Sequence, residues 1–200
     1  MPPYLKLVRP EAESRAADED YPLVVRAVAG EVGAQAELFG RHVQRLTSML
    51  TRLLASTTDA EDAAQDAFAI AFGELDKLRD LRAFGGWLWQ IAVHQAHRRF
   101  RRRRLHRLLG LDRHVPDATL EQLVDPAVLP DARADLGRID RILDEMPAKD
   151  RTAWMLRYIE GHEMNEVAQM CDCSLATAKR RIAAARAKLA KHLELEGFDE

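Results

Sequence analysis

Apolar residues in this chain recur at three- and four-residue spacing, and that period constrains the fold more than any other feature. The clearest run is Ala60, Ala63, Ala64, Ala67, Phe68, Ala71, Phe72 and Leu75. At 3.6 residues per turn these share one helix face. Thr58-Asp-Ala-Glu61 just ahead reads as a capping box, in which Thr58 accepts from the Glu61 amide and Glu61 reaches back to the Thr58 amide. The stripe is mostly Ala, so a neighbouring helix can approach closely. Val, Ile, Thr, Tyr and Phe nowhere alternate over a strand-length window. Gly and Pro number only 10 and 8 in 200 residues. The expected fold is therefore all-α.

Composition sets the outer limits. With 47% hydrophobic residues the chain can bury a core. Its length allows one domain or two small ones. Cys171 and Cys173 lie too close in sequence to staple distant segments, which excludes a secreted disulfide scaffold. No apolar run approaches the roughly 18–20 residues of a membrane span. The N-terminus lacks the apolar core of a signal peptide and carries Glu11, Glu13, Asp18, Glu19 and Asp20. These features predict a cytoplasmic protein without direct membrane insertion.

Punctuation suggests two helical domains. Residues 1–22 read as a loose acidic arm and 23–105 as a first helical domain. Residues 106–133 read as a flexible acidic linker around Pro116, Pro126 and Pro130, 134–193 as a second helical domain, and 194–200 as a tail.

Two segments carry chemistry. Near Phe84-Gly-Gly-Trp87 a helix begins with an imperfect apolar face of Leu88, Ile91, Ala92 and Gln95. Gln90, Val93, His94, His97, Arg98 and Arg101 share its other side. Trp87 and Trp89 precede a stretch rich in Arg. Aromatic faces stack on unpaired bases and Arg contacts phosphates, a combination suited to melted nucleic acid. Two core tryptophans followed by a solvated basic helix end explain the same residues. In the second segment Pro147 opens a helix holding Trp154, Met155, Leu156, Tyr158 and Ile159, and Gly161 closes it. A short helix follows over 165–170. Cys171-Asp-Cys173 makes a tight turn with Asp172 in a left-handed conformation, and Ser174 caps the last helix. There Leu175, Ala178, Ile182, Ala185 and Leu189 face the core, while Thr177, Arg180, Arg181, Ala184 and Lys188 face out and Lys179 lies on the flank. Two short helices, a three-residue turn and a basic outer face match a helix-turn-helix. A plain helical hairpin with a charged face is the alternative.

The formal net charge is −2, yet it is unevenly placed. Residues 98–113 hold eight Arg against Asp112 alone. Residues 174–193 hold Lys179, Arg180, Arg181, Arg186, Lys188 and Lys191 with no acid, so the rest of the chain is strongly acidic. Such asymmetry points to nucleic acid or another anionic surface.

These residues carry a resemblance to bacterial RNA polymerase sigma factors of the sigma-70 family, extracytoplasmic-function (ECF) subfamily. Asp59-Ala-Glu61-Asp62-Ala-Ala-Gln65-Asp66-Ala-Phe68 resembles that family's D-x-E-D-x-x-Q-[ED]-x-F signature. Phe84-Gly-Gly-Trp87-Leu88-Trp89-Gln-Ile91-Ala92 resembles F-x-x-W-L-x-x-I-A. Tyr158-Ile-Glu-Gly161, Glu166-Val-Ala168 and Cys173-Ser174-Leu175-Ala-Thr177-Ala-Lys179-Arg-Arg181 are similar to its Y-x-E-G, E-I-A and C-S-x-G-T-V-K-S-R. The resemblance implies sigma region 2 in the first domain and region 4 in the second. It further implies a non-enzymatic promoter-specificity subunit with no cofactor, no metal and no small-molecule substrate. Its partners would be core RNA polymerase (β′ clamp helices and β flap), promoter DNA and an anti-sigma factor.

By the same resemblance, Asp59, Asp62, Gln65 and Asp66 bind polymerase. The −10 DNA is read by Arg79, Asp80 and Arg82 in the loop that captures an unpaired base, with Trp87, Trp89, Gln90, His94, His97, Arg98 and Arg101. The −35 duplex is read by Ser174, Thr177, Lys179, Arg180, Arg181 and Lys188. Without the resemblance, Asp62, Gln65 and Asp66 are simply acids and an amide near a helix N-terminus. This chain departs from the family at Val93, His94, Gln95 and Gly85-Gly86, which predicts an atypical −10 preference, and at Asp172, Ala176 and Ala178, which are expected to keep the turn but alter its packing. Two rivals remain. A helix-turn-helix regulator acting without polymerase explains 138–193 but not the Asp59–Phe68 signature. A nuclease lacks a metal-spaced carboxylate cluster or a nucleophile–base pair. Ligation by His94 or His97, or by Cys171, Cys173 and His162, lacks the usual partners and spacing.

Overall fold

A computed structural model describes residues 11–110, 139 and 142–193. Among the described residues every regular element is a helix, as the 3.6-residue period requires. The order is α1 (Glu11–Val28), α2 (Val32–Leu54), α3 (Thr57–Gly73), two 3₁₀ turns (Leu75–Lys77 and Leu81–Ala83), α4 (Phe84–Leu108), α5 (Ala148–Tyr158), α6 (Met164–Met170) and α7 (Leu175–Leu193).

The N-terminal unit packs α3 between α2 and α4, with α1 laid across α2. Its core comprises Leu38, Leu46, Leu50 and Leu54 from α2, the Ala60–Phe68 stripe of α3, and Phe84, Leu88 and Ala92 of α4. Each fully buried Leu or Phe contributes roughly 1.5–3 kcal/mol. The small α3 side chains Ala60, Ala63, Ala67 and Ala71 have no exposed surface, so two helices meet α3 closely.

Two expectations need correction here. Helix α3 is capped by Ser56, whose Oγ accepts from the Asp59 amide at 3.3 Å, and Thr58 lies inside the helix. The reason is upstream: Ala55 adopts a left-handed φ of 49°, which reverses the chain and delivers Ser56 in the extended geometry a cap needs. Secondly, the expected loose arm 1–22 is helical from Glu11 onward. Pro22 sits inside that helix despite its missing amide. Tertiary anchoring opposes this defect. Asp20 is buried between His42 Nε2 at 2.6 Å and Arg41 Nη1 at 3.2 Å. Burial alone raises its carboxyl pKa, but hydrogen bonds and charge from His42 and Arg41 outweigh it and hold Asp20 below the usual value.

The C-terminal unit is a helix-turn-helix supported by α5. Leu143, Trp154, Leu156, Val167, Ala178, Ile182, Ala185 and Leu189 form its core. Asp172 has a φ of 46°, Gly161 of 83°, and Ser174 Oγ accepts from the Thr177 amide at 3.2 Å. The turn chemistry therefore follows the sequence. Pro147 occupies the N-cap position of α5 rather than its first turn. Leu175, expected in the core, is 38% exposed because it is the first residue of α7, ahead of the buried positions.

The two units pack against each other through α2 and α4 on one side and α5 and α6 on the other. Of the expected linker, 106–108 continue α4 and Gly110 turns at a φ of 67°; 111–133 lie outside the described residues, as do 1–10, 134–138, 140–141 and 194–200.

Candidate nucleic-acid interface

The acidic face of α3 is built as its helical period dictates. Asp62, Gln65 and Asp66 are all exposed in one row. Asp59, placed in the same group, is half-buried and committed to Arg103, whose Nε donates at 3.0 Å. Arg99 donates to Asp66 Oδ2 at 3.0 Å, although Asp66 stays 56% exposed. Two arginines of the basic block thus fold back onto α3. Residue sums could not show this, because Arg99 and Arg103 lie one helical turn apart on the α4 face that packs on α3.

The loop before α4 is ordered by its own polar groups. Asp80 Oδ1 accepts from the Arg82 amide at 3.0 Å and caps the Leu81–Ala83 turn. Fully buried Phe84 then fixes the start of α4. Arg79, Asp80 and Arg82 are left exposed at one end of the N-terminal unit.

Along α4 the outer face is only partly outer. His94, Arg98 and Arg101 are exposed, and Trp87 and Gln90 are half-buried. Arg98 also donates to Gln95 at 3.3 Å. Trp89 and His97, expected to meet DNA, are only 4% and 9% exposed, and Val93 is fully buried. The correction has a physical cause: the C-terminal unit covers this side. The Trp89 ring meets His162 edge-on at 4.6 Å, and the Arg45 guanidinium of α2 lies over the same ring, 5.1 Å from its centroid. His97 Nε2 lies 3.1 Å from Thr152 Oγ1. Burial first, then the charges of His94, Lys149, Arg181 and Arg101, push the His97 pKa down to about 4. At neutral pH it is an uncharged hydrogen-bonding group inside the contact. Only His94, held 3.9 Å from Asp172, keeps its ring at the open edge.

On α7, Ser174 caps the helix and its Oγ lies 2.9 Å from the Thr177 hydroxyl. Lys179 and Arg180 are exposed. Lys188, expected on the outer face, donates to the Glu145 carbonyl at 3.0 Å and is half-buried. Arg181 is half-buried as well, and its Nη1 is buried with no hydrogen-bond partner among the described residues. Arg180 and Arg181 line a cleft of about 1460 Å³ between the units, together with His97, Arg101, Arg104 and Lys149. Two −10 candidates, His97 and Arg101, and two −35 candidates, Arg180 and Arg181, thus share one cleft, whose cations outnumber the acids Asp144, Glu145 and Asp150 in its lining.

Residues that sequence reasoning did not single out hold the units together. Arg52 donates to Glu160 at 2.6 Å and 3.0 Å, and Arg151 donates to the Leu53 carbonyl. Glu160 stands inside the quoted Tyr158–Gly161 motif, but nothing local reveals a partner on α2. Burial pushes the Cys171 thiol up to about 12, so it packs as a small neutral side chain. No helix among the described residues is long and apolar enough to cross a membrane.

Comparison with known proteins places this geometry. Residues 38–106 match the Sigma-70 region 2 family model and 136–189 match Sigma-70, region 4. The chain is 32% identical over 175 residues to the ECF RNA polymerase sigma factor SigM of Mycobacterium tuberculosis, covering 87% of this chain and 84% of that protein. It is 28% identical over 184 residues to the RNA polymerase sigma factor CnrH of Cupriavidus metallidurans, covering 90% and 96%. The structure of CnrH in complex with the cytosolic domain of CnrY superposes with a TM-score of 0.63 at 26% identity, over 89% of this chain and 99% of that one. The sigma factor RpoE from Bartonella quintana, in complex with the anti-sigma factor NepR, shares the fold at a TM-score of 0.61 and 21% identity, over 80% and 97%.

Proposed function

The chain belongs to the ECF sigma factors of the sigma-70 family, and from that premise we propose how its surfaces divide the work of promoter recognition. It is a polymerase-associated sigma factor. In this reading region 2 spans residues 23–105 and region 4 spans residues 134–193. Asp62, Gln65 and Asp66 dock on core polymerase, which contributes a basic surface. Arg79, Asp80 and Arg82, with Trp87, Gln90, His94, Arg98 and Arg101, take the melted −10 strand. Lys179, Arg180 and Arg181 take the −35 major groove, where the Arg fork suits guanine edges and Lys suits phosphates.

The observation that carries the reading is the segregation of exposed charge. An acidic row lies on α3, while exposed cations lie on α4 and on the first turns of α7. Catalysis of a bond change plays no part. Binding energy to polymerase and to both promoter elements offsets the cost of unpairing bases. The subunit acts in the cytoplasm with polymerase, and an anti-sigma protein is its proposed regulator, since one sigma factor of the same fold is solved with an anti-sigma factor.

Trp89 and His97 reach DNA only when the two units part. Loading onto polymerase therefore includes separation of α4 from α5 and α6. In vitro transcription with core polymerase across a promoter library tests the function. Promoter-specific transcripts that depend on the added chain are expected. A folded chain that yields none, or that footprints promoters equally well without polymerase, overturns the reading in favour of a free-standing DNA-binding regulator.

A further inference from the structure

Helix α1 lies outside the segment that matches the region 2 model, which begins at residue 38. Even so it packs against the Leu81–Ala83 turn and α4 as well as α2. Asp20 anchors it from within, 5% exposed and clamped by His42 and Arg41. Leu23, Val24 and Ala27 are buried beneath it. The neighbouring Tyr21 lies outside that buried row, with 37% of the residue exposed. It points at the loop before α4 instead. The Arg82 guanidinium lies over the Tyr21 ring, 4.6 Å from its centroid. Arg82 is itself set in place by the Asp80 cap on its amide, at 3.0 Å.

We infer that Tyr21 and Arg82 together form a stacking wall for one unpaired base of the melted −10 strand, so that α1 is part of the promoter-reading site. The inference rests on the proposed reading of −10 DNA by the 79–82 loop and adds a residue to it. A guanidinium and a phenol ring are both flat and both stack on nucleobases. Their mutual cation–π contact keeps the pair together before a base arrives. Only an unpaired base offers its face, so the wall selects melted over duplex DNA. Stacking alone tolerates any base, while Asp80 beside it supplies a carboxylate that accepts from an exocyclic amine. Tyr21 and Arg82 thus hold the base, and the Asp80 edge discriminates it.

The test uses holoenzyme assembled from core polymerase and the full chain, on a library randomised across the −10 element. Tyr21→Ala should lower open-complex formation at the preferred base by about 5- to 150-fold, the range of a lost base–aromatic stack, and flatten preference at one position. Tyr21→Phe should retain both, and binding to −35 duplex should not change. Tyr21→Leu keeps an apolar side chain on α1 without an aromatic face. It should melt like the parent and still lose the preference, which covers the case in which Tyr21→Ala fails to fold. Full retention of preference in Tyr21→Leu overturns the inference, as does equal loss in Tyr21→Phe. If Arg82→Ala shifts the preference while Tyr21→Leu does not, the loop reading stands and the role of α1 falls. Absence of any −10 preference in the parent holoenzyme overturns both.

Discussion

Arg52 of α2 and Glu160, just beyond α5, form an ion pair across the two units, with guanidinium nitrogens 2.6 Å and 3.0 Å from Glu160 Oε1. Glu160 is 4% exposed, so little water is at hand to replace this partner. Around it Trp89 meets His162 and His97 meets Thr152. The pair therefore holds shut the side of α4 that carries two of the expected −10 contacts.

Removing the cation strands a buried carboxylate. Arg52→Ala should weaken the closed contact by about 3 kcal/mol, the usual cost of breaking a buried pair from one side. Fluorescence energy transfer between labels on α2 and α7 should fall. The free variant should bind single-stranded −10 oligonucleotide better than the parent. Unchanged transfer efficiency would show that the other contacts suffice.

The contact should also loosen in acid. His97 is held neutral, with its pKa lowered to about 4 from an ordinary 6.5. The open form therefore binds a proton in that interval and the closed form does not. The stabilisation is complete above pH 6.5 and is lost as pH falls towards 4. By 1.36 kcal/mol per pKa unit, the full loss is roughly 3 kcal/mol. Trp89 emission followed across this range should report the opening, and His97→Gln should remove this component of the slope.

Charge reversal on α3 tests polymerase docking. Asp62→Lys with Asp66→Lys should reduce affinity for core polymerase at least about tenfold, because an opposed basic surface would then face like charge. Asp62→Lys should keep helicity, while Asp66→Lys also releases Arg99, so circular dichroism of both single variants separates docking from any loss at the α3–α4 contact. Asp59 is a poorer target, because its loss frees Arg103 and disturbs the α3–α4 contact.

Arg181 separates two roles. If it reads a base, Arg181→Ala should cost about 1–3 kcal/mol on the cognate −35 duplex and relax one position. A uniform loss on all sequences with a shallower salt slope would make it a phosphate contact. Lys179→Ala should give that uniform pattern. Gel-shift titrations at several salt concentrations distinguish them.

Ala55 offers a stability gain through the backbone alone. Its φ of 49° is costly for a residue with a Cβ. Ala55→Gly should raise stability by up to ~1 kcal/mol, less the entropy that Gly adds to the unfolded chain. Thermal melting would show a rise of a few degrees; a fall would mean that the buried Ala55 methyl outweighs the backbone strain.

The sequence by itself determined the all-α class, most of the helices and the turn between α6 and α7. The Ala stripe fixes which face of α3 is buried. Asp172 and Ser174 fix the helix-turn-helix bend. The motifs fix the family, because these are local properties of spacing and side-chain type. Tertiary structure alone decided which charges and aromatics are available. Arg99 and Arg103 lie in an unbroken basic run, yet they pair with acids on α3. Trp89 and His97 share a helix with the exposed His94 and Arg101, yet the second unit covers them. Arg82 gains the ring of Tyr21 from a helix that reads as an acidic arm. Each of these outcomes depends on a partner far away in the chain. Periodicity shows that a side chain lies on a given face, but not what packs against that face, and that packing sets its burial, its charge state and its access to DNA.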